Sequence, residues 1–165
     1  MNIKNMLGGL ILLAVVGGGC YLAYRRLVLP AQQCDICGRP VHAAHESIVR
    51  LKSGAEVRTC CPRCALHYEH SHPDSSLGLL VTDRATGKKI DGQKAYYVEG
   101  SDDQLCISTV EVPPREPGAE FDRTFDRCIP SLVAFSEEPA ARNFQAAHGG
   151  RVLTYEQAVE SVRKQ

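Results

Sequence analysis

The 165-residue chain balances 19 basic against 19 acidic side chains, has no Trp and contains 8 Cys. That length fits one ordinary domain, or a smaller domain plus a membrane anchor, and an apolar fraction of 44% excludes wholesale disorder. Every carboxylate lies after Pro30, so residues 30–165 hold 16 basic and 19 acidic groups, a net of −3, too little positive charge to hold nucleic acid by counterion release.

Residues 7–24, LGGLILLAVVGGGCYLAY, carry no charge. As a helix they would reach about 27 Å at ~1.5 Å per residue, close to the ~30 Å hydrocarbon core of a bilayer. Tyr21, Tyr24, Arg25 and Arg26 then suit the membrane interface. Residues 1–29 are therefore expected to be an uncleaved signal anchor, a single-pass helix with the lipid bilayer as its partner. A cleaved signal peptide is the alternative, and Gly-Gly-Gly-Cys ending at Cys20 hints at a lipoprotein. Against lipidation, Gly17 stands where such signals usually have Leu, and apolar sequence continues to Leu29. Lys4 precedes the span while Arg25, Arg26 and Arg39 follow it, a bias towards a cytoplasmic C-terminal part.

Residues 30–37 link into the first Cys pair. Residues 47–58 predict a β-hairpin turning at Ser53-Gly54. A helix is expected from Cys61, because Pro62 suits a first turn that needs no N–H, and it should end before Pro73. Residues 77–83 and 94–99 predict strands joined by a polar turn containing Thr86-Gly87 and Asp91-Gly92. Residues 105–112 are a further strand candidate. Three prolines and mixed charges make 113–127 a loop. A strand over 129–135 follows, then a helix capped by Ser136 and closed by Gly149. A short strand at 151–153 leads to a last helix, for which Thr154 and Gln157 form a capping box. The fold class is α+β.

The cysteines carry the chemistry. Cys34-x-x-Cys37 and Cys61-x-x-Cys64 flank the predicted hairpin, and the second pair opens a helix whose N-terminus favours thiolate charge. Knuckle, hairpin and helix is a treble-clef-like layout for a closed, structural Zn²⁺ site of four cysteines. Cys60 competes with Cys61 as a ligand, and two disulfides are the alternative in an oxidising compartment. His67 and His70 share a helix face with Cys64, so a second, labile site is open alongside simple solvation of histidines at a helix end. Cys128, at the junction of the long loop and the next strand, is a candidate ligand of a more open site. Cys106, within a predicted strand, is expected to be packed. No Cys–His dyad is established by spacing, so catalysis is not expected.

Three further segments carry a resemblance: AYYVEGS at 95–101, CIPSLVAF at 128–135 and GGRVLTYEQA at 149–158. With CDICGRPV at 34–41, they make residues 34–160 resemble the NosL-like family of nitrous-oxide reductase accessory proteins. The resemblance implies two ββαβ-type halves and an extracytoplasmic, membrane-tethered protein that binds Cu(I) and delivers it to a copper enzyme. The family pattern has Pro-Met-Gly ahead of the strand ending at Phe135, its Met implied as a copper ligand. Here Arg127-Cys128-Ile129 stands there, and a thiolate is also a soft donor. The added Cys61 and Cys64 pair is a second departure.

Together these readings predict a membrane anchor (1–29) and a soluble, NosL-like metal-binding domain (30–165). Cys34, Cys37, Cys61 and Cys64 would hold one ion, expected to be structural Zn²⁺, and Cys128 would serve transported Cu⁺. The expected function is that of a copper metallochaperone or accessory factor, not an enzyme, with a recipient copper protein as partner and the soluble domain in the periplasm. The alternatives are a zinc-stabilised interaction module at the membrane and a thiol–disulfide protein using Cys34-Cys37 or Cys61-Cys64, the latter pair within Cys-Pro-Arg-Cys.

Overall fold

The computed structural model describes residues 17–21, 32–103, 106 and 126–164. The chain divides into two units, 1–31 and 32–165. In the first, residues 17–21 are helical and Cys20 is exposed. No helix among the described residues is long and apolar enough to cross a membrane. Most of the span expected over 7–24 lies outside the described residues, as do the strand expected over 105–112, Cys106 apart, and nearly all of the loop 113–127.

The second unit is α+β. Its elements are β1 (Ser47–Leu51), β2 (Glu56–Thr59), α1 (Pro62–Ser71), β3 (Ser76–Thr82), β4 (Lys89–Asp91), a 3-10 turn (Gly92–Lys94), β5 (Tyr96–Glu99), β6 (Leu132–Phe135), α2 (Glu138–His148), β7 (Arg151–Leu153) and α3 (Tyr155–Arg163). They form two antiparallel sheets, ordered β2-β1-β3-β4 and β6-β5-β7. In each, the first strand of a ββαβ unit lies in the middle, flanked by its hairpin partner and by the strand that follows the helix. The two halves expected from the resemblance therefore share one topology. An isolated parallel bridge between Asp83 and Ala134, with Arg84 N–H donating to Ala134 O at 2.8 Å, joins the sheets.

Strand periodicity sorts the core. On β5 and β6, Tyr97, Leu132 and Ala134 face the central cluster with Val49, Leu66, Leu79, Val81, Ala158 and Val162. The alternate residues Val98, Val133 and Phe135 pack on Ala141 of α2. Phe135 and Phe144 extend that layer with ring centroids 5.1 Å apart. Gly150, at φ 88°, lies so close to β5 that a Cβ would sit 2.4 Å from Glu99 O. That close approach accounts for Gly150, whereas Gly149 ends α2 with φ 73° and open space beside it.

Three boundaries differ from the expectation. The polar turn between β3 and β5 contains β4, whose three residues Lys89, Ile90 and Asp91 pair with Thr82, Val81 and Leu80. Its one apolar side chain gives no alternation to detect. β6 begins at Leu132 because Asp126 to Ile129 is a turn, with Ile129 N–H donating to Asp126 O at 2.9 Å. Ser136 does not cap α2: the N-cap is Glu137, and the Ser136 hydroxyl donates instead to Asp83 Oδ2 at 2.9 Å. The Thr154–Gln157 capping box of α3 is formed as expected.

Candidate metal centre

Four segments bring seven cysteines together. The first is a tight turn at 34–38, where Gly38 N–H donates to Cys34 O at 2.9 Å and Gly38 takes φ 73°. Asp35 and Arg58 pin this knuckle to β2: Asp35 N–H donates to Arg58 O at 3.0 Å and Arg58 N–H donates to Asp35 Oδ2 at 2.8 Å. The second segment is the exit of β2 into α1. Cys60 follows the strand, and Cys61 is the extended N-cap (φ −160°, ψ 162°), with Pro62 in the first turn. In a helix the Cα–Cβ bonds tilt towards the N-terminus, so Cys64 leans back on the residue one turn earlier, Cys60. Their Sγ atoms are 3.8 Å apart.

The third segment is the turn before β6. Asp126 Oδ1 accepts from Cys128 N–H at 2.9 Å, fixing that thiol. The same carboxylate takes a two-pronged guanidinium contact, Arg39 Nη1 donating to Oδ1 at 2.8 Å and Nη2 to Oδ2. Arg39 lies two residues after Cys37, so this clamp ties the knuckle to the Cys128 turn. The fourth is Cys106, buried in a turn.

The sulfurs fall into two groups, Cys34, Cys37, Cys60 and Cys64, and Cys60, Cys61, Cys106 and Cys128. Within each, every ligand atom lies within 4.8 Å of the others. Cys60 Sγ is 3.5 Å from Cys37, 3.8 Å from Cys61 and 3.7 Å from Cys128, and Cys64 lies 3.6 Å from Cys128. All are free thiols, and these separations are far beyond the ~2.05 Å of an S–S bond. They match the edge of a tetrahedron of sulfurs, about 3.8 Å for metal–sulfur bonds of ~2.3 Å. Ile36 and Val41 pack against the cluster, and Cys37 alone among its cysteines is only partly buried.

Crowded sulfurs cannot all become anionic without a cation, so they share protons as a set. Hydrogen bonding to Cys106, then Cys128, pushes Cys60 above the ordinary thiol range, and contact with Cys128 does the same to Cys64. Cys61 is brought down to about 6, chiefly by hydrogen bonding with Cys106. For Cys34 the contact with Cys37 pushes up, but Cys60 and Cys64 outweigh it and bring the thiol to about 6. Cys128 is pushed up by Cys106 and held well below the ordinary range by Cys37, Cys60 and Cys61.

A buried ion pair backs the cluster. Arg63, between Cys61 and Cys64 in sequence, is fully buried and pairs with Glu99 of β5. Glu99 also accepts from Ser161 and from Arg151 Nε, the latter at 2.7 Å. Burial pushes the Glu99 carboxyl up, but these donors hold it below its ordinary range. The Cys-Pro-Arg-Cys turn is in this way tied to the second sheet.

Cys34, Cys37, Cys61, Cys64 and Cys128 all lie in the cluster, but not grouped as spacing predicts. Cys60 stands where Cys61 was expected, and Cys61 joins Cys128 and Cys106. Cys128 is fully buried, not part of an open site. Cys106 was missed as a donor because a lone cysteine inside an apolar run carries no spacing signal. No histidine belongs to either group among the described residues. His72 stacks on Tyr68 with centroids 4.3 Å apart, His70 is exposed, and buried His45 pairs with Asp103 at 3.4 Å.

An all-sulfur donor set on an α+β frame defines a thiol-rich metal-binding domain. No family model matches the chain. Over 130 residues it is 23% identical to the HTH-type transcriptional repressor CutR of Bacillus subtilis, a match covering 78% of this chain and 57% of that protein. The chain thus spans little more than half of that relative's length. Among solved structures it is similar to the copper chaperone NosL from Shewanella denitrificans, with TM-score 0.57, 13% identity, and coverage of 76% of this chain and 88% of that one. The fold is NosL-like.

Proposed function

We propose that the protein is a membrane-anchored soft-metal carrier that binds Cu(I) and passes it to a copper enzyme as a metallochaperone or accessory factor. The convergence of seven thiols carries this reading. Thiolates select soft ions, and the similar solved structure is by its title a copper chaperone. Transfer would be ligand exchange and not catalysis: partly exposed Cys37 is the sulfur a partner can reach first. Residues 1–29 would tether the domain to the bilayer on the extracytoplasmic side, with a periplasmic copper protein as recipient. The match to a repressor is not extended to DNA binding, because α2 and α3 are separated by β7 and residues 30–165 are net acidic.

The test is Cu(I) competition against a chromophoric chelator, using reduced protein. The reading expects Cu(I) to be held far more tightly than by equimolar glutathione thiols, and to move to a stronger acceptor on mixing. Copper held no better than by free thiols would remove it.

The closed burial of the cluster and its sulfur spacing favour a second reading, zinc as a structural ion in an interaction module. In that case Zn²⁺ co-purifies, its removal unfolds the knuckle, and copper gains no advantage.

A further inference from the structure

We propose that the cluster is polynuclear, with Cys60 Sγ bridging two thiophilic ions. This rests on the metal-binding reading above and extends it from one ion to a fused pair. The two four-sulfur groups have a single residue in common, Cys60. Its Sγ lies 3.5 and 3.8 Å from Cys37 and Cys64 on one side, and 3.8 and 3.7 Å from Cys61 and Cys128 on the other. Four sulfurs complete a closed tetrahedral site. Each group therefore holds a full donor set only if Cys60 serves both, and a thiolate sulfur has the lone pairs to do so.

The tally of donors points the same way. Six of the seven cysteines are buried, and the nearby guanidinium groups of Arg39 and Arg63 are already paired with Asp126 and Glu99. One ion on four sulfurs would leave three further thiols packed against a buried anionic site. A second ion sharing Cys60 takes up those three donors, Cys61, Cys106 and Cys128, which no other group of the site employs. The Cys64–Cys128 contact of 3.6 Å links the two groups again, so they are one sulfur body and not two separate sites.

The probe is ¹¹³Cd²⁺, a thiophilic ion visible by NMR, loaded into the full chain in detergent under reducing conditions. Native mass spectrometry counts the ions, and ¹¹³Cd NMR reads their coupling. The expected result is at least two ions per chain, with resonances of all-sulfur sites split by cadmium–cadmium coupling through a shared sulfur. Cys60→Ser should abolish the coupling. Cys106→Ser touches only the second group and should lower the count by one while the first resonance persists, which keeps the test open if Cys60→Ser fails to fold. One ion per chain, or two uncoupled ions, would overturn the bridge and leave the metal-binding reading standing. No ion at micromolar cadmium would overturn both.

Discussion

The two ββαβ halves share a topology and differ in what holds the start of the helix. In the first half two residues, Cys60 and Cys61, connect β2 to α1; in the second, Ser136 and Glu137 connect β6 to α2. The segments TCCPRCA at 59–65 and AFSEEPA at 134–140 occupy this shared corner. In the first half the corner is filled by sulfur, with Ile36 and Val41 as its apolar neighbours among the described residues. In the second, Ser136 bonds Asp83 and the helix packs on Phe135, Val98 and Val133. A corner packed with hydrocarbon holds itself together. On the proposed metal-binding function, a corner packed with thiols would depend on an ion to hold their thiolates together.

The largest effect should come from removing metal. Chelation under reducing conditions should strip amide protection from residues 34–45 and the first turn of α1, a loss on the order of 5 kcal/mol or more. β5, β6 and α2 should keep theirs, as read by hydrogen exchange. Equal loss in both halves would break the comparison. The converse is Phe135→Ala, which empties the apolar corner and should cost about 3–5 kcal/mol of global stability in denaturant melts. Metal stoichiometry should stay unchanged.

Asp126→Asn weakens the Arg39 clamp between the knuckle and the Cys128 turn, an effect of roughly 1.5–3 kcal/mol. It should lower Cu(I) affinity in chelator competition, while the ion count remains that of the unaltered chain. The smallest effect, about 1 kcal/mol, is expected for Ser136→Ala. Burial pushes the Asp83 carboxyl up, and hydrogen bonds from Thr86 and Ser136 outweigh it and hold the carboxyl below its ordinary value. A depressed carboxylate contributes stability that is fully present above the ordinary Asp pKa of about 3.9 and is lost as pH falls through the lower folded value. Ser136→Ala should move that acid loss to higher pH, followed by NMR titration of Asp83.

Much of this was legible in the sequence where local chemistry decides. The hairpin at 47–58, Pro62 in the first turn of α1 and the Thr154–Gln157 box each depend on neighbours in the chain. What escaped depends on distant partners. Ser136 has the composition of a cap, yet Asp83 from the first sheet claims its hydroxyl. β4 exists because β3 offers an edge, not because Lys89-Ile90-Asp91 favours a strand. Spacing favoured Cys61 with Cys64, whereas the backward lean of helical side chains brings Cys64 to Cys60. Cys106 joins Cys60, Cys61 and Cys128 from a separate turn, a meeting that no spacing rule contains.

The most direct measurement is X-ray absorption at the copper and zinc edges of protein purified without oxygen and loaded with each ion. The account predicts a first shell of sulfur alone, near ~2.3 Å for zinc. A shell containing nitrogen or oxygen donors, or protein that retains neither ion, would contradict it.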